Sequence, residues 1–131
     1  MASSSTISNS STGSVVFGRV APTICVRNIE RALIFYCETL GFTDVFRNGD
    51  PVGFVILERD RAEIHLTLHP NHRAGTSNVA HLMVSDASAL YDQLVARDVR
   101  IVKGIRDADY KMRTFVFADP DGNRIDVGQD L

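Results

Sequence analysis

One order of elements occurs twice in this chain, and that repeat restricts the fold more than any other feature. A strand, a helix and three further strands occupy about residues 20–68, and the same order returns over about residues 79–128. Neither copy can bury its apolar surface alone, because each offers one oily sheet face and one amphipathic helix to cover it. The pattern predicts an α+β fold. Two βαβββ modules form a curved mixed sheet with a concave cleft, and the helices lie on the convex side.

The local signals are specific. Strand alternation over 21–26 puts Pro22, Ile24 and Val26 on one face and Ala21, Thr23 and Cys25 on the other. Asn28 is placed to cap a helix whose stripe is Ile29, Leu33, Tyr36 and Leu40, with Gly41 to end it. Strands are expected at 42–47, 52–57 and 63–68, the first two joined by the turn Asn48-Gly49-Asp50-Pro51. Residues 69–78 read as a linker. In the second copy, 79–84 is a strand and Asp86 caps a helix to about Arg97, with Ala87, Leu90 and Leu94 as its stripe. A short strand at 99–102 and a loop at 104–110 follow. The closing hairpin runs over 112–118 and 123–127 around Asp119-Pro120-Asp121-Gly122-Asn123, where Pro120 suits an early turn position and Gly122 a left-handed one.

Residues 1–18 are expected to form a Ser/Thr-rich flexible tail, within which Val15-Val16-Phe17 is a candidate edge strand, and residues 19–131 a single domain. Hydrophobic residues make up 44% of the chain and charged residues 23%, which fits a globular domain. The net charge of −2 and the lack of a basic cluster on one element argue against nucleic acid or anionic membrane as a partner. Cys25 and Cys37 lack zinc-site spacing and read as reduced packing residues of a cytoplasmic protein.

The faces opposite the helices are mixed: Thr23, Cys25, Glu63, His65 and Thr67 in the first copy, His81, Met83, Arg124 and Asp126 in the second. A few polar groups in a concave apolar setting mark a ligand site. The candidates are His65, His81, Tyr110, Arg113, Phe115, Arg124 and Asp126. The histidines and Asp126 offer hydrogen bonds, Arg113 and Arg124 offer planar forks for an anionic group, and Tyr110 and Phe115 offer stacking area. Parity leaves open whether Phe115 and Phe117 face the helix or the cleft. No nucleophilic dyad or phosphate-binding glycine loop stands out, so no catalytic residue is assigned.

Three stretches resemble the vicinal oxygen chelate superfamily of glyoxalases, dioxygenases and bleomycin resistance proteins. They are Arg31-Ala32-Leu33-Ile34-Phe35-Tyr36 with Leu40-Gly41-Phe42, Ala62-Glu63-Ile64-His65-Leu66, and Phe115-Val116-Phe117-Ala118-Asp119-Pro120-Asp121-Gly122-Asn123. The resemblance covers roughly residues 20–128 and implies the paired-module fold. It places the metal-ligand positions of enzymatic members at Ala21, His65, Val79 and Asp126. Ala21 and Val79 have no lone pair to offer. The bleomycin-resistance group is therefore the closest in kind, and Lys111-Met112-Arg113 precedes the hairpin much as a Gly-x-Arg segment does there. That group implies antibiotic resistance by sequestering a small molecule in clefts of a homodimer, without metal or other cofactor. The competing expectation is a glyoxalase- or dioxygenase-like enzyme with a divalent metal on His65, Asp126 and His81.

Overall fold

The computed structural model describes residues 13–131. Residues 1–12, most of the expected tail, lie outside the described part. Residues 13–22 join no strand, so the edge strand expected at 15–17 does not form. Val15 and Phe17 are 81% and 87% exposed, and a strand needs a covered face to repay its ordering.

The first module contains β1 (Thr23–Val26), α1 (Ile29–Leu33), β2 (Thr43–Asn48), β3 (Phe54–Arg59) and β4 (Ala62–Leu68). Its sheet has the order β1-β4-β3-β2, with β1 parallel to β4 and the other pairs antiparallel. Asn28 caps α1 as expected, its side chain accepting from the Arg31 N–H at 2.9 Å. Beyond Leu33 the helix widens into a π-helix, Ile34–Thr39. The wider winding admits an extra residue, so the apolar stripe departs from the regular spacing. Phe35 and Tyr36 both become buried and Ile34 turns outward. Gly41 ends the helix at φ +75°, a left-handed angle that glycine adopts without steric cost.

The second module contains β5 (Asn78–Met83), α2 (Ala87–Ala96), β6 (Ile101–Ala108), β7 (Met112–Ala118) and β8 (Arg124–Asp130), with sheet order β5-β8-β7-β6. Asp86 caps α2 by accepting from the Ala89 N–H at 3.0 Å. The loop expected at 104–110 is largely strand: β6 continues to Ala108 and only a short turn follows. The pairing of β6 with β7 shifts register twice, on either side of Lys103, and such shifts break the period by which a strand is recognised in sequence. Each module thus makes its own four-stranded mixed sheet.

One core joins the modules. Ile24, Val26, Ile64, Leu66, Phe35 and Tyr36 share a buried cluster with Leu94, Phe115, Phe117, Ile125 and Val127. The Phe35 and Phe117 rings lie 6.2 Å apart, and Phe115 stacks edge-on with Tyr91 of α2 at 5.1 Å. The parity of Phe115 and Phe117 is thereby decided in favour of the helices. Each fully buried ring contributes about 1.5–3 kcal/mol from its removal from water.

The β7–β8 turn is the polar counterpart of this core. Asp119 Oδ1 accepts from the Asp121 and Asn123 N–H groups, both at 2.9 Å. Asp119 Oδ2 accepts from the Tyr36 hydroxyl at 2.7 Å and from Asn123 Nδ2 at 2.9 Å. Asn123 Nδ2 also donates to the Cys25 carbonyl of β1 at 2.9 Å. Arg27 Nε donates to Asp121 Oδ1 at 2.9 Å, and Arg31 pairs with the same oxygen. The hairpin turn of the second module is therefore a latch onto β1, α1 and the π-helix of the first.

Candidate ligand-binding face

The helices cover one face of each sheet, and the other faces carry the polar residues expected there. In the first sheet, Thr23 and Ile56 lie opposite His65, Cys25 and Phe54 opposite Thr67, and Glu58 opposite Glu63. Directly paired residues share a face, so these side chains stand together. His65 Nε2 lies 2.6 Å from Glu63 Oε2. The Phe54 ring meets His65 edge-on at 5.4 Å and Phe46 at 6.4 Å. Phe46 is 46% exposed, which leaves an aromatic edge in solvent beside the imidazole.

Two carboxylates end this face. Arg19, from the irregular segment before β1, approaches Glu63 Oε1 to 2.6 Å and Glu58 Oε2 to 3.9 Å. These are ion pairs without hydrogen-bond alignment, and both oxygens are buried with no hydrogen-bond partner. The Arg19 guanidinium thus meets the charge of both carboxylates.

In the second sheet, His81 lies opposite Asp126, which lies opposite Val116, and Met83 lies opposite Gly128, which lies opposite Thr114. His81 Nδ1 is 2.6 Å from Asp126 Oδ2. Thr114 Oγ1 is 3.0 Å from Asp126 Oδ1 and 2.8 Å from the Val127 carbonyl oxygen, its one proton available to either. A carboxylate and a thioether can only accept, so Nδ1 donates to Asp126, and the 3.1 Å contact of Nε2 with the Met83 sulfur is a hydrogen bond only where Nε2 carries a proton. The pair can bind a donor group, ligate a cation or accept a proton.

The structure brings some predicted residues together and separates others. His81 and Asp126 meet as a pair. His65 stands on the other sheet with Glu63, and among the described residues no three His, Cys, Asp or Glu side chains form a group able to hold a metal. The alternative set of His65, Asp126 and His81 is therefore not assembled within one chain. Phe115, expected at the ligand, is 1% exposed on the helix side. Arg113 shares that side: its Nε donates to Asp107 at 2.8 Å and its Nη1 reaches Ser88 of α2 at 3.4 Å. That hydrogen bond holds the Asp107 carboxyl below its usual range. Arg113 is thus committed elsewhere, because alternation sends it with Phe115 rather than with Thr114. Tyr110 is 65% exposed in the β6–β7 turn, away from either face. Arg124 points to the linker, donating to the Thr76 carbonyl at 3.3 Å. Phe46, Phe54 and Glu58 were missed. The register of β3 against β4 was the signal for Phe54 and Glu58, and that of β2 against β3 for Phe46, which lies opposite Ile56.

A family model described as the Glyoxalase/Bleomycin resistance protein/Dioxygenase superfamily matches residues 17–127. The chain belongs to this superfamily. Solved members share its architecture. A superfamily member from Sphaerobacter thermophilus DSM 20745 is 28% identical, with a TM-score of 0.74 over 87% of this chain and 98% of that one. A bleomycin resistance determinant encoded on the transposon Tn5 is 24% identical, with a TM-score of 0.75 over 87% and 98%. A bleomycin-binding protein solved with bleomycin is 23% identical, with a TM-score of 0.74 over 88% and 100%. At those identities the last two likenesses carry the fold alone. No curated protein matches the chain. Among the described residues no helix is long and apolar enough to cross a membrane.

Proposed function

We propose that this superfamily member is a small-molecule binding protein of the bleomycin-resistance kind, which sequesters an antibiotic or similar ligand between the decorated faces of two copies. The observation that supports this is the matched decoration of the two sheets. Each carries a histidine–carboxylate pair, His65–Glu63 partly buried and His81–Asp126 exposed, on the face its helix leaves open. Phe46 and Phe54 supply flat apolar area, and the two histidines supply polar contacts beside it. A single sheet face is too open to enclose a ligand, so a second copy completes the compartment. Affinity comes from aromatic burial and selectivity from the two pairs.

The His81–Asp126 contact favours a second reading, in which the pair serves a metal-dependent or proton-transferring enzyme. Purified protein titrated with bleomycin and a panel of natural-product antibiotics, followed by thermal shift and calorimetry, separates the two. Binding is expected with one ligand per chain, and ligand at a hundredfold excess over Kd stabilises the fold by about 2.7 kcal/mol. His81→Ala and Phe54→Ala are expected to weaken binding. If no compound binds, and elemental analysis finds a stoichiometric metal that His81→Ala removes, the enzymatic reading replaces sequestration.

A further inference from the structure

A cationic hollow lies between the linker and the β7–β8 turn. Its volume is about 450 Å³, and Arg27, Arg73, Arg100 and Arg124 line it together with His72 and Asp121. These arginines come from four places: the end of β1, the linker, the start of β6 and the start of β8. Asp121 is the single carboxylate in the lining, and its side chain is 1% exposed. Its charge is already met by Arg27 in the hollow and Arg31 outside it. Arg124 has only the Thr76 carbonyl as a partner, a neutral acceptor at 3.3 Å. Arg73 and Arg100 have no side-chain partner among the described residues.

Three guanidinium groups thus share one concave space without a carboxylate to balance them. Like charges so placed repel, and an anion entering the hollow removes that cost. Guanidinium forks match the paired oxygens of an oxyanion, which an ammonium does not. His72 adds a polar edge. Asn123 spends both of its Nδ2 hydrogens on Cys25 and Asp119, so its Oδ1 must accept from His72 Nε2 at 2.8 Å. The imidazole is fixed by that bond, and its other nitrogen remains available. The volume exceeds what a lone oxyanion fills and falls in the range of small-molecule sites. The chain's net charge of −2 and the confinement of these arginines to one hollow disfavour a nucleic-acid backbone, which needs an extended basic track.

We propose that this hollow, between the linker and the β7–β8 turn, is a second binding site for a small molecule carrying a phosphate or pyrophosphate group, held by Arg73, Arg100 and Arg124. This site does not depend on the function proposed for the ligand-binding face. Inorganic pyrophosphate is the probe, measured by calorimetry on the full chain at low and moderate salt, with citrate and sulfate as the carboxylate and single-oxyanion arms. One pyrophosphate is expected per chain, bound more tightly than citrate or sulfate and more weakly as salt rises. Arg73→Ala/Arg100→Ala is expected to weaken pyrophosphate about tenfold or more, since two charge-assisted contacts are lost. Both side chains are exposed and unpaired, so the double variant should keep its fold, which circular dichroism checks. Absence of binding, equal binding of all three anions, or binding that survives the double variant would each overturn the assignment.

Discussion

Asp119 keeps a carboxylate almost wholly out of water, and it is tolerable there because four donors converge on its two oxygens. Tyr36 supplies the donor that crosses between modules. Burial, and then the neighbouring Asp119 carboxylate, push its phenol well above the ordinary 10.0. A group whose pKa is raised on folding gives stability that is complete below its unfolded value and disappears as the pH climbs past it. Tyr36→Phe should therefore cost about 1–3 kcal/mol at neutral pH, the range for withdrawing one hydrogen bond from a buried charged acceptor. The variant should also lose less stability than the parent from about pH 10 upward. Urea unfolding at pH 7 and above pH 10 checks both, and parallel losses in the two proteins would refute the assignment. Burial also raises Cys37 above its ordinary value, which favours the protonated thiol at neutral pH.

Elements position the candidate face, and β8 does so most tightly. Gly128 sits between His81 and Met112, where an added Cβ would come 2.6 Å from the Met112 sulfur and 3.1 Å from His81 Cε1. The flexible methionine tip can retreat, and the imidazole must give by a few tenths of an ångström against its bond to Asp126. Gly128→Ala should thus fold with a loss of about 1–3 kcal/mol, as overpacking does, while the Nδ1–H bond of His81 to Asp126 is perturbed. Nitrogen NMR of the imidazole reads this directly, and an unchanged Nδ1–H signal would show that the face is looser than the hydrogen bond implies. The same scale explains two departures from the sequence reading. The π-helical turn lets Phe35 and Tyr36 reach the core together, and the irregular β6 hides its strand character behind two register shifts. Both are breaks in a period, and periodicity is the signal by which elements are read.

For the whole molecule, the open faces bear on association. Val79, Met83 and Phe46 are 39%, 45% and 46% exposed on the faces opposite the helices, and a second copy covering them would gain about 25 cal/mol for each Å² of apolar area buried. A stable pair needs about 800 Å² from each partner, which a four-stranded sheet face can offer. Sedimentation should find twice the chain mass at micromolar concentration, and Val79→Arg, which puts a charge into the proposed interface, should shift the protein to monomer. A monomeric parent, or a variant that still pairs, would remove the basis for a compartment shared between copies.

The repeat, the caps at Asn28 and Asp86, the facing of each main strand and the tight turn at Asp119 were all legible in the sequence, because each rests on residues within a few positions of one another. Partnerships between distant residues were not. That the turn is a latch depends on Tyr36, Arg27 and Cys25, which lie 83 to 98 residues away from their partners in it. That Phe54 meets His65 while Phe115 is buried depends on strand register and on which side the helix packs. The arginine hollow exists only because the linker and both modules converge there. Local chain chemistry sets periods and turns; the docking of the two modules decides which side chains become neighbours.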